Sequence, residues 1–289
     1  MANTIEVAIQ GVAGSFHEMA AIDFFKGSQL SIIECGTFED LFSLLERGGC
    51  HYGVVAVENS VAGILSHNFF MLNEYSLEVV GEYYLKIEQN LIALPGTTLE
   101  EIKEIKSHPI ALRQCHLFLN KMRERGLLVT ESADTASSVK ELSLSRERGV
   151  AAVAGELAAT LYGMDIIQRG IESNKRNFTR FIIVKAKNRK GKELSLLPKR
   201  GEKNKASISF ILTNEPGMLF RVLQIFSAYN LNMTMIQSLP YLGREWEYRF
   251  FADFVFDDVK LCRKAISSVK RVTGAVWVSG IYSRGDSPY

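Results

Sequence analysis

Two short junctions in the chain combine small, hydroxyl and amide residues in a way that could bind an anion. Residues 11–15 (GVAGS) and residues 58–60 (ENS) each follow a strand-like run and precede a helical pattern. In open parallel sheets, ligands bind beyond the carboxyl ends of the strands, where unpaired N–H groups of helix N-termini can hold anions. Ordinary helix capping explains the same residues, so both interpretations stay open at this point.

A third candidate segment, Thr179-Arg180-Phe181, lies inside an otherwise apolar strand-like run. Strand alternation places Thr179 and Phe181 on one face and Arg180 on the other. If the strand borders a cleft, the hydroxyl can donate a hydrogen bond to a leaving oxygen, and a guanidinium can hold a carboxylate. An edge strand with a surface arginine is the alternative. The sequence contains no GxSxG nucleophile motif.

The elements that must position these segments alternate between strands and helices. Strand-like runs lie at residues 5–10, 52–57, 77–87, 90–94, 104–107, 127–131 and 177–185. Helical patterns start near residues 15, 38, 61, 109, 134 and 155. The capping-box spacing at residues 37–40 and the proline at position 109 support two of these starts. This alternation predicts βαβ units and a mainly parallel sheet.

The pattern changes after a basic, weakly periodic stretch at residues 185–205, which is the best linker candidate. Beyond it, strand-like runs at 206–212, 231–239, 246–256 and 275–282 enclose helical patterns at 218–229 and 257–269. This order, βαββαβ, is the ferredoxin-like layout.

Length and composition indicate an ordinary globular protein of two or three domains. The chain has 289 residues, 47% of them hydrophobic and 23% charged, with a formal net charge of +2. That charge is too small to indicate nucleic acid or an anionic membrane as the partner. The four cysteines and five histidines lack metal-ligand spacing, so we predict no metal site. No apolar run reaches the length of a membrane span, and we expect a cytoplasmic protein.

Taken together, the segments resemble the prephenate dehydratases. Five motifs carry the resemblance, in order along the chain: residues 9–16 (IQGVAGSF) with 20–21, residues 57–60 (VENS) with 63, residues 107–109 (SHP) with 111–112 and 114–115, residues 134–136 (DTA), and residues 177–181 (NFTRF). The first motif commonly reads Gly-Pro-x-Gly-Thr-Phe in the family. Here Val12 replaces the proline and Ser15 keeps the hydroxyl.

The resemblance implies an α/β fold: a two-lobed catalytic region similar to periplasmic binding proteins, at 1–185, and a ferredoxin-like βαββαβ ACT domain at 206–289, joined by a linker at 186–205. The lobes would comprise roughly 1–80 with 160–185, and 81–159. Prephenate would lose its ring hydroxyl and a carboxylate together, giving phenylpyruvate, water and carbon dioxide. Aromatisation supplies the driving force, so the resemblance implies no cofactor.

The resemblance also assigns roles to individual residues. Thr179 would assist the departing hydroxyl as a hydrogen-bond donor, because a threonine hydroxyl is too weak an acid to be ionised. The other expected catalytic residues are Ser15, Asn59 and Ser60. The expected substrate-binding residues are Arg180, Phe181, Asn177 and Thr135, although alternation separates Arg180 from Thr179.

The C-terminal module resembles ACT domains, which bind amino acids at dimer interfaces. We expect an amino-acid effector at Gly217, Met218, Leu219, Gln237 and Ser238, and a homodimer or homotetramer. The family's Glu-Ser-Arg-Pro motif reads QSLP at residues 237–240 here. Losing both charges of that motif leaves open whether phenylalanine is the effector.

Two other functions stay open from the sequence. The first is dehydration of arogenate, the amino analogue of prephenate, since the two substrates differ by one charge and a few hydrogen bonds. The second is a non-catalytic amino-acid sensor, which would have no need of the Thr179 hydroxyl.

Overall fold

The computed structural model describes residues 4–187, 197–198, 201–241 and 247–288, and within them the chain forms three β-sheets. Two mixed α/β sheets form a two-lobed region with a cavity between them, and a four-stranded antiparallel sheet follows. The expected α/β fold class is confirmed.

The first lobe is built on a six-stranded sheet in the order β2-β1-β3-β11-β5, with β4 paired to β3. Its strands are β1 (Ile5–Gln10), β2 (Leu30–Cys35), β3 (Tyr52–Asn59), β4 (Gly63–Ile64), β5 (Leu77–Lys86) and β11 (Phe178–Ala186). Its helices are α1 (Phe16–Phe24), α2 (Phe38–Glu46) and α3 (Ser66–Glu74). Apolar residues on both faces are buried, so helices and the C-terminal domain must cover the sheet.

The second lobe is built on a five-stranded sheet in the order β10-β6-β9-β7-β8. Its strands are β6 (Asn90–Ala93), β7 (Glu104–Ser107), β8 (Leu128–Glu131), β9 (Val150–Ala154) and β10 (Asp165–Gln168). Its helices are α4 (Pro109–Gln114), α5 (His116–Glu124), α6 (Thr135–Ser145) and α7 (Glu156–Tyr162).

Strand pairing corrects two sequence-based expectations. The sheets are mixed rather than mainly parallel, because β11 runs antiparallel to both β3 and β5, and β6 runs antiparallel to β9 and β10. The expected lobe limits are also wrong. All of β5 pairs with β11 in the first lobe, whereas β10 pairs with β6 in the second. The chain therefore returns to the first lobe only at β11.

The helix starts expected near residues 15, 38, 109, 134 and 155 are confirmed, and the one expected at Val61 is wrong. Ser15 caps α1, Thr37 and Asp40 form a capping box on α2, and Pro109 occupies the first turn of α4. The helix expected from Val61 instead begins at Ser66. The Asn59 side chain accepts hydrogen bonds from the backbone N–H groups of Val61 and Ala62, which holds these residues in a turn.

The C-terminal domain has the expected βαββαβ order and packs on the first lobe. Its elements are β12 (Lys205–Leu212), α8 (Met218–Ala228), β13 (Asn232–Pro240), β14 (Tyr248–Val255), α9 (Val259–Thr273) and β15 (Val276–Tyr282). One sheet face is buried under α8 and α9, while Met235, Phe251 and Tyr282 join the core of the first lobe. A Cβ at Gly280 would collide with the Val79 carbonyl, so the two domains meet backbone to backbone there.

Most of the expected linker, residues 188–196 and 199–200, lies outside the described residues. Among the described residues, no helix has the length and apolar character needed to cross a membrane.

Candidate active site

A cavity of about 190 Å³ lies between the two lobes. Of the residues predicted to form the site, the structure brings five into its lining: Ser15, Asn59, Thr179 and Phe181 from the first lobe, and Thr135 from the second. Residues far apart in sequence therefore meet at the carboxyl end of β3 and the N-termini of α1 and α6, as the α/β pattern predicted, while Thr179 comes from the amino end of the antiparallel β11.

Asn59 organises the first-lobe side of the cavity. Its Nδ2 donates to Thr179 Oγ1 at 2.9 Å and to Asn177 Oδ1 at 2.8 Å. Its Oδ1 accepts from the Val61 and Ala62 backbone and from Gln114 Nε2 at 3.3 Å. Because these bonds use both amide hydrogens and the carbonyl oxygen, the orientation of Asn59 is fixed.

This arrangement fixes how the Thr179 hydroxyl can act. Thr179 is buried, and it lies directly opposite Asn59 in the pairing of β11 with β3. Its oxygen accepts the hydrogen from Asn59, so its own O–H stays available to donate to a bound molecule. The sequence-based role of Thr179 as a positioned donor stays a prediction, and this geometry fits it.

Two glutamines extend the same network into the second lobe. Gln89 Nε2 donates to Gln114 Oε1 at 3.1 Å, and Gln114 donates to Asn59. The Gln89 backbone N–H donates to the buried carboxylate of Glu172 at 2.9 Å. These bonds tie the strand that begins the second lobe to the segment leading into β11, so the network bridges the lobes.

His17 lines the cavity as a neutral ring. Burial lowers the pKa of His17 to about 4. Its Nε2 accepts from the Ala56 backbone N–H at 3.4 Å, and its ring meets Phe181 edge to face. With this pKa the ring is neutral at pH 7, and its Nε2 accepts a hydrogen bond rather than carrying a proton.

Three helix N-termini border the cavity, at Phe16 of α1, Ile110 of α4 and Thr135 of α6. Their dipoles favour bound anions, and no lysine or arginine occurs among the cavity-lining residues in the described part of the chain. The expectation for residues 11–15 is corrected in part. Ala13 and Gly14 donate their backbone N–H groups to Glu34 and Glu18, so those two groups are already occupied.

Two expected site residues lie behind the cavity rather than in it. Ser60 is exposed, and its hydroxyl donates to the Arg176 carbonyl and accepts from the Phe178 backbone N–H. Asn177 is fully buried and contacts Asn59. Both residues secure the segment that leads into β11, because each joins that segment to the end of β3.

Arg180 is the main correction to the expected substrate contacts. As alternation predicted, it points away from Thr179, and it does not line the cavity. Its Nη1 lies 2.5 Å from Asp253 Oδ2 and 3.2 Å from Glu82 Oε2. Burial alone would lower the pKa of Arg180, but the carboxylates of Asp253 and Glu82 and the neighbouring tyrosines outweigh it and raise the pKa well above the usual value. The guanidinium is therefore a structural cation.

The expected effector residues lie apart from this cavity, on the C-terminal domain. Gly217 adopts a left-handed conformation before α8, where Met218 and Leu219 are half-buried against the domain core. Gln237 and Ser238 lie near the end of β13, and Gln237 Nε2 donates to the Ser238 carbonyl at 2.9 Å. Their role stays a prediction.

Gln89 and His17 are the site residues that the sequence did not single out. Gln89 follows a strand-like run as Asn59 does, so its position was a usable signal. His17 lies one residue after a motif residue, but its neutral state depends on packing against Phe181 and could not be inferred.

Comparison with known proteins identifies the family. Residues 7–189 match the sequence profile of the family described as prephenate dehydratase. The chain is 33% identical to arogenate dehydratase 1 of Petunia hybrida, over 99% of this chain and 68% of that protein. It is 32% identical to the bifunctional chorismate mutase/prephenate dehydratase of Aquifex aeolicus, over 97% of this chain and 74% of that protein.

Solved structures agree along nearly the whole chain. Prephenate dehydratase from Arthrobacter aurescens, in complex with L-Phe, superimposes with a TM-score of 0.84 at 26% identity, covering 97% of this chain and 90% of that one. GqqA, described as a novel type of quorum quenching acylase, gives 0.83 at 27% identity, covering 98% of each chain. With a matching profile, relatives above 30% identity and a shared two-lobed architecture, the chain belongs to the prephenate dehydratase family.

Proposed function

We propose that this chain is a carbon–oxygen lyase that converts prephenate to phenylpyruvate, water and carbon dioxide. The observation that carries the proposal is the Asn59–Thr179 pair at the wall of the interlobe cavity, where Asn59 donates to Thr179 Oγ1 at 2.9 Å. That bond leaves the threonine O–H as a donor in a cavity bordered by helix N-termini. Family membership and the curated relatives support the same reaction.

The proposed chemistry is a single fragmentation. The bond between the ring and its carboxylate breaks, and its electron pair enters the ring as carbon dioxide leaves. The bond between the ring and its hydroxyl oxygen breaks in the same step, and the electron pair of that bond leaves with the oxygen. The departing oxygen takes a proton through the Thr179 hydroxyl and leaves as water. Solvent resupplies that proton. Hydrogen-bond donation of this kind contributes about 10²–10⁴ in rate.

The substrate's two carboxylates find no cationic side chain among the described lining residues. We infer that backbone N–H groups at the starts of α1 and α6 bind them, with the amide groups of Gln89 and Gln114 nearby. The start of α4 is already occupied, because the Ile110 N–H donates to His108 Nδ1. Helix dipoles hold an anion without adding a mobile charge, and Phe181 provides an apolar wall for the ring. Nothing in this scheme requires a cofactor.

Turnover on both substrates tests the proposal. Purified protein is given prephenate, and phenylpyruvate is followed by its absorbance; arogenate is supplied in a parallel assay with phenylalanine as the measured product. Higher kcat/KM on prephenate supports the proposal. Higher kcat/KM on arogenate would reassign the chain to the arogenate dehydratases named among its relatives, and no turnover of either substrate would refute a dehydratase function.

We further propose that residues 206–289 form an ACT regulatory domain in a homodimer or homotetramer. The Arthrobacter aurescens relative was solved with L-Phe, which supports an amino-acid effector. Large exposed apolar side chains on the C-terminal domain, including Phe220 at 66% and Ile236 at 39%, support self-association. Light scattering that shows a monomer at micromolar concentration would refute the oligomer.

A further inference from the structure

A cluster of buried charges lies directly behind the catalytic strand pair. Its members are Arg180 and Glu82 from the first lobe and Asp253 and Lys205 from the C-terminal domain, none more than 2% exposed. Two cations and two anions make the buried charge cluster neutral. Its ion pairs are short: Arg180 to Asp253 at 2.5 Å, Arg180 to Glu82 at 3.2 Å and Lys205 to Glu82 at 2.7 Å.

The register of the sheet couples this cluster to the active site. Thr179 pairs with Asn59, and the next residues, Arg180 and Glu58, pair with each other. Arg180 Nε lies 3.1 Å from Glu58 Oε2, on the opposite face from the Thr179–Asn59 hydrogen bond. The same two strands therefore carry a catalytic pair on one face and an ion pair on the other. A shift of Arg180 moves the backbone that carries Thr179.

The C-terminal domain supplies the contact that fixes Arg180. Asp253 lies within β14, paired on one side with Ser207 of β12 and on the other with Met235 of β13. A carboxylate held between two strands has little freedom. A buried guanidinium must stay paired, and of its three carboxylate partners Asp253 lies nearest, at 2.5 Å, so we infer that the position of Arg180 follows that of Asp253.

We propose that Asp253 is a positioning residue for the dehydration, which acts through Arg180 to hold β11 against β3 and so to set the alignment of Thr179 with Asn59. The proposal rests on the function proposed above. It assigns to the C-terminal domain a part in basal catalysis that does not depend on any effector.

The test compares Asp253→Asn with a matched control, Ser209→Ala. Asn keeps the shape of Asp253 and removes its charge. Ser209 is equally buried on the neighbouring strand and joins the domains through a 2.8 Å hydrogen bond to Asn73, away from β11. We expect Asp253→Asn to lower kcat for prephenate at least about fivefold with KM within about twofold, and Ser209→Ala to leave both unchanged.

A double variant, Asp253→Asn with Lys205→Gln, guards against misfolding, because it removes one charge of each sign and keeps the cluster neutral. If Asp253 only balances the buried charge and supports folding, restoring neutrality should restore kcat. Positioning predicts that kcat stays low, since Arg180 still lacks the Asp253 carboxylate although Glu58 and Glu82 remain. Recovery of wild-type kcat in the folded double variant would overturn the proposal, as would wild-type kcat in Asp253→Asn itself.

Amide hydrogen exchange on the intact chain measures the coupling between Asp253 and β11 without any substrate. Asp253→Asn should speed exchange in β11 (Phe178–Ala186), whereas Ser209→Ala should not. If wild type fails to turn over prephenate, the proposed function fails and the exchange comparison still decides whether Asp253 controls β11. Equal exchange in both variants would refute the positioning role.

Discussion

Replacing Asn59 with aspartate should separate catalysis from folding. The substitution keeps the shape of the side chain but removes the N–H donor that points at Thr179 Oγ1 from 2.9 Å. A carboxylate oxygen in that position accepts a hydrogen bond from the threonine hydroxyl, so the hydroxyl turns away from the substrate. The donor that the proposed reaction needs is then occupied.

The size of the effect follows from that bond. To donate to the leaving oxygen, Thr179 must first break a hydrogen bond to a charged acceptor, which is worth about 1.5–3 kcal/mol. This cost corresponds to a roughly 10- to 150-fold fall in kcat. The added charge also weakens the binding of an anionic substrate, so kcat is compared at saturating prephenate.

Folding should survive in this variant. The Val61 and Ala62 backbone N–H groups and Gln114 still find an acceptor. Asn177 Nδ2, which has no hydrogen-bond partner within the described residues, can donate to the new carboxylate once its amide flips. Asn59→Ala is the contrast, because it leaves these groups unpaired and should lower the free energy of unfolding by about 2–4 kcal/mol. A folded Asn59→Asp enzyme with kcat within about twofold of wild type would refute the reasoning.

Three other predictions concern stability and control. His17 takes up a proton near pH 6.5 when unfolded but only near its pKa of about 4 when folded. The contribution of His17 to the free energy of unfolding should therefore be complete above pH 6.5 and fall by at most about 3 kcal/mol as the pH is lowered towards 4. Urea titrations of His17→Gln should lack this pH-dependent loss. Gly14→Ala should cost about 1–3 kcal/mol in the same titration, because φ is +88° and the new Cβ would lie 2.9 Å from Ala158 Cα; an unchanged midpoint would contradict this. Phenylalanine should inhibit weakly or not at all, since Gln237 and Leu239 replace charged residues, and strong inhibition at low micromolar concentration would show that those positions do not decide effector binding.

The sequence was sufficient to predict the fold class and the central residues for identifiable reasons. Strand and helix periodicity marked most elements, and the local signals at Ser15, Thr37 and Pro109 act over a few residues that the sequence shows directly. Alternation at Thr179 and Arg180 correctly separated their two faces. Contacts between distant segments then bring these local features together at the cavity.

What the sequence could not predict depends on pairing between distant segments. Strand β11 returns to the first sheet antiparallel after the whole second lobe, and no local pattern encodes that partner. The placement of Arg180 depends on Asp253, which lies 73 residues later. Ser60 resembled a ligand-binding hydroxyl, yet its bonds to the Arg176 carbonyl and the Phe178 N–H exist only because β3 and β11 are neighbours.

The central claim is that the Thr179 hydroxyl donates to the departing oxygen, and kcat for prephenate in Thr179→Ala and Thr179→Ser tests it most directly. Serine keeps the hydroxyl and alanine removes it. The account predicts a loss of at least about a hundredfold in the alanine variant, with most of the activity retained in the serine variant and both proteins folded. Equal activity of wild type and Thr179→Ala would contradict the claim.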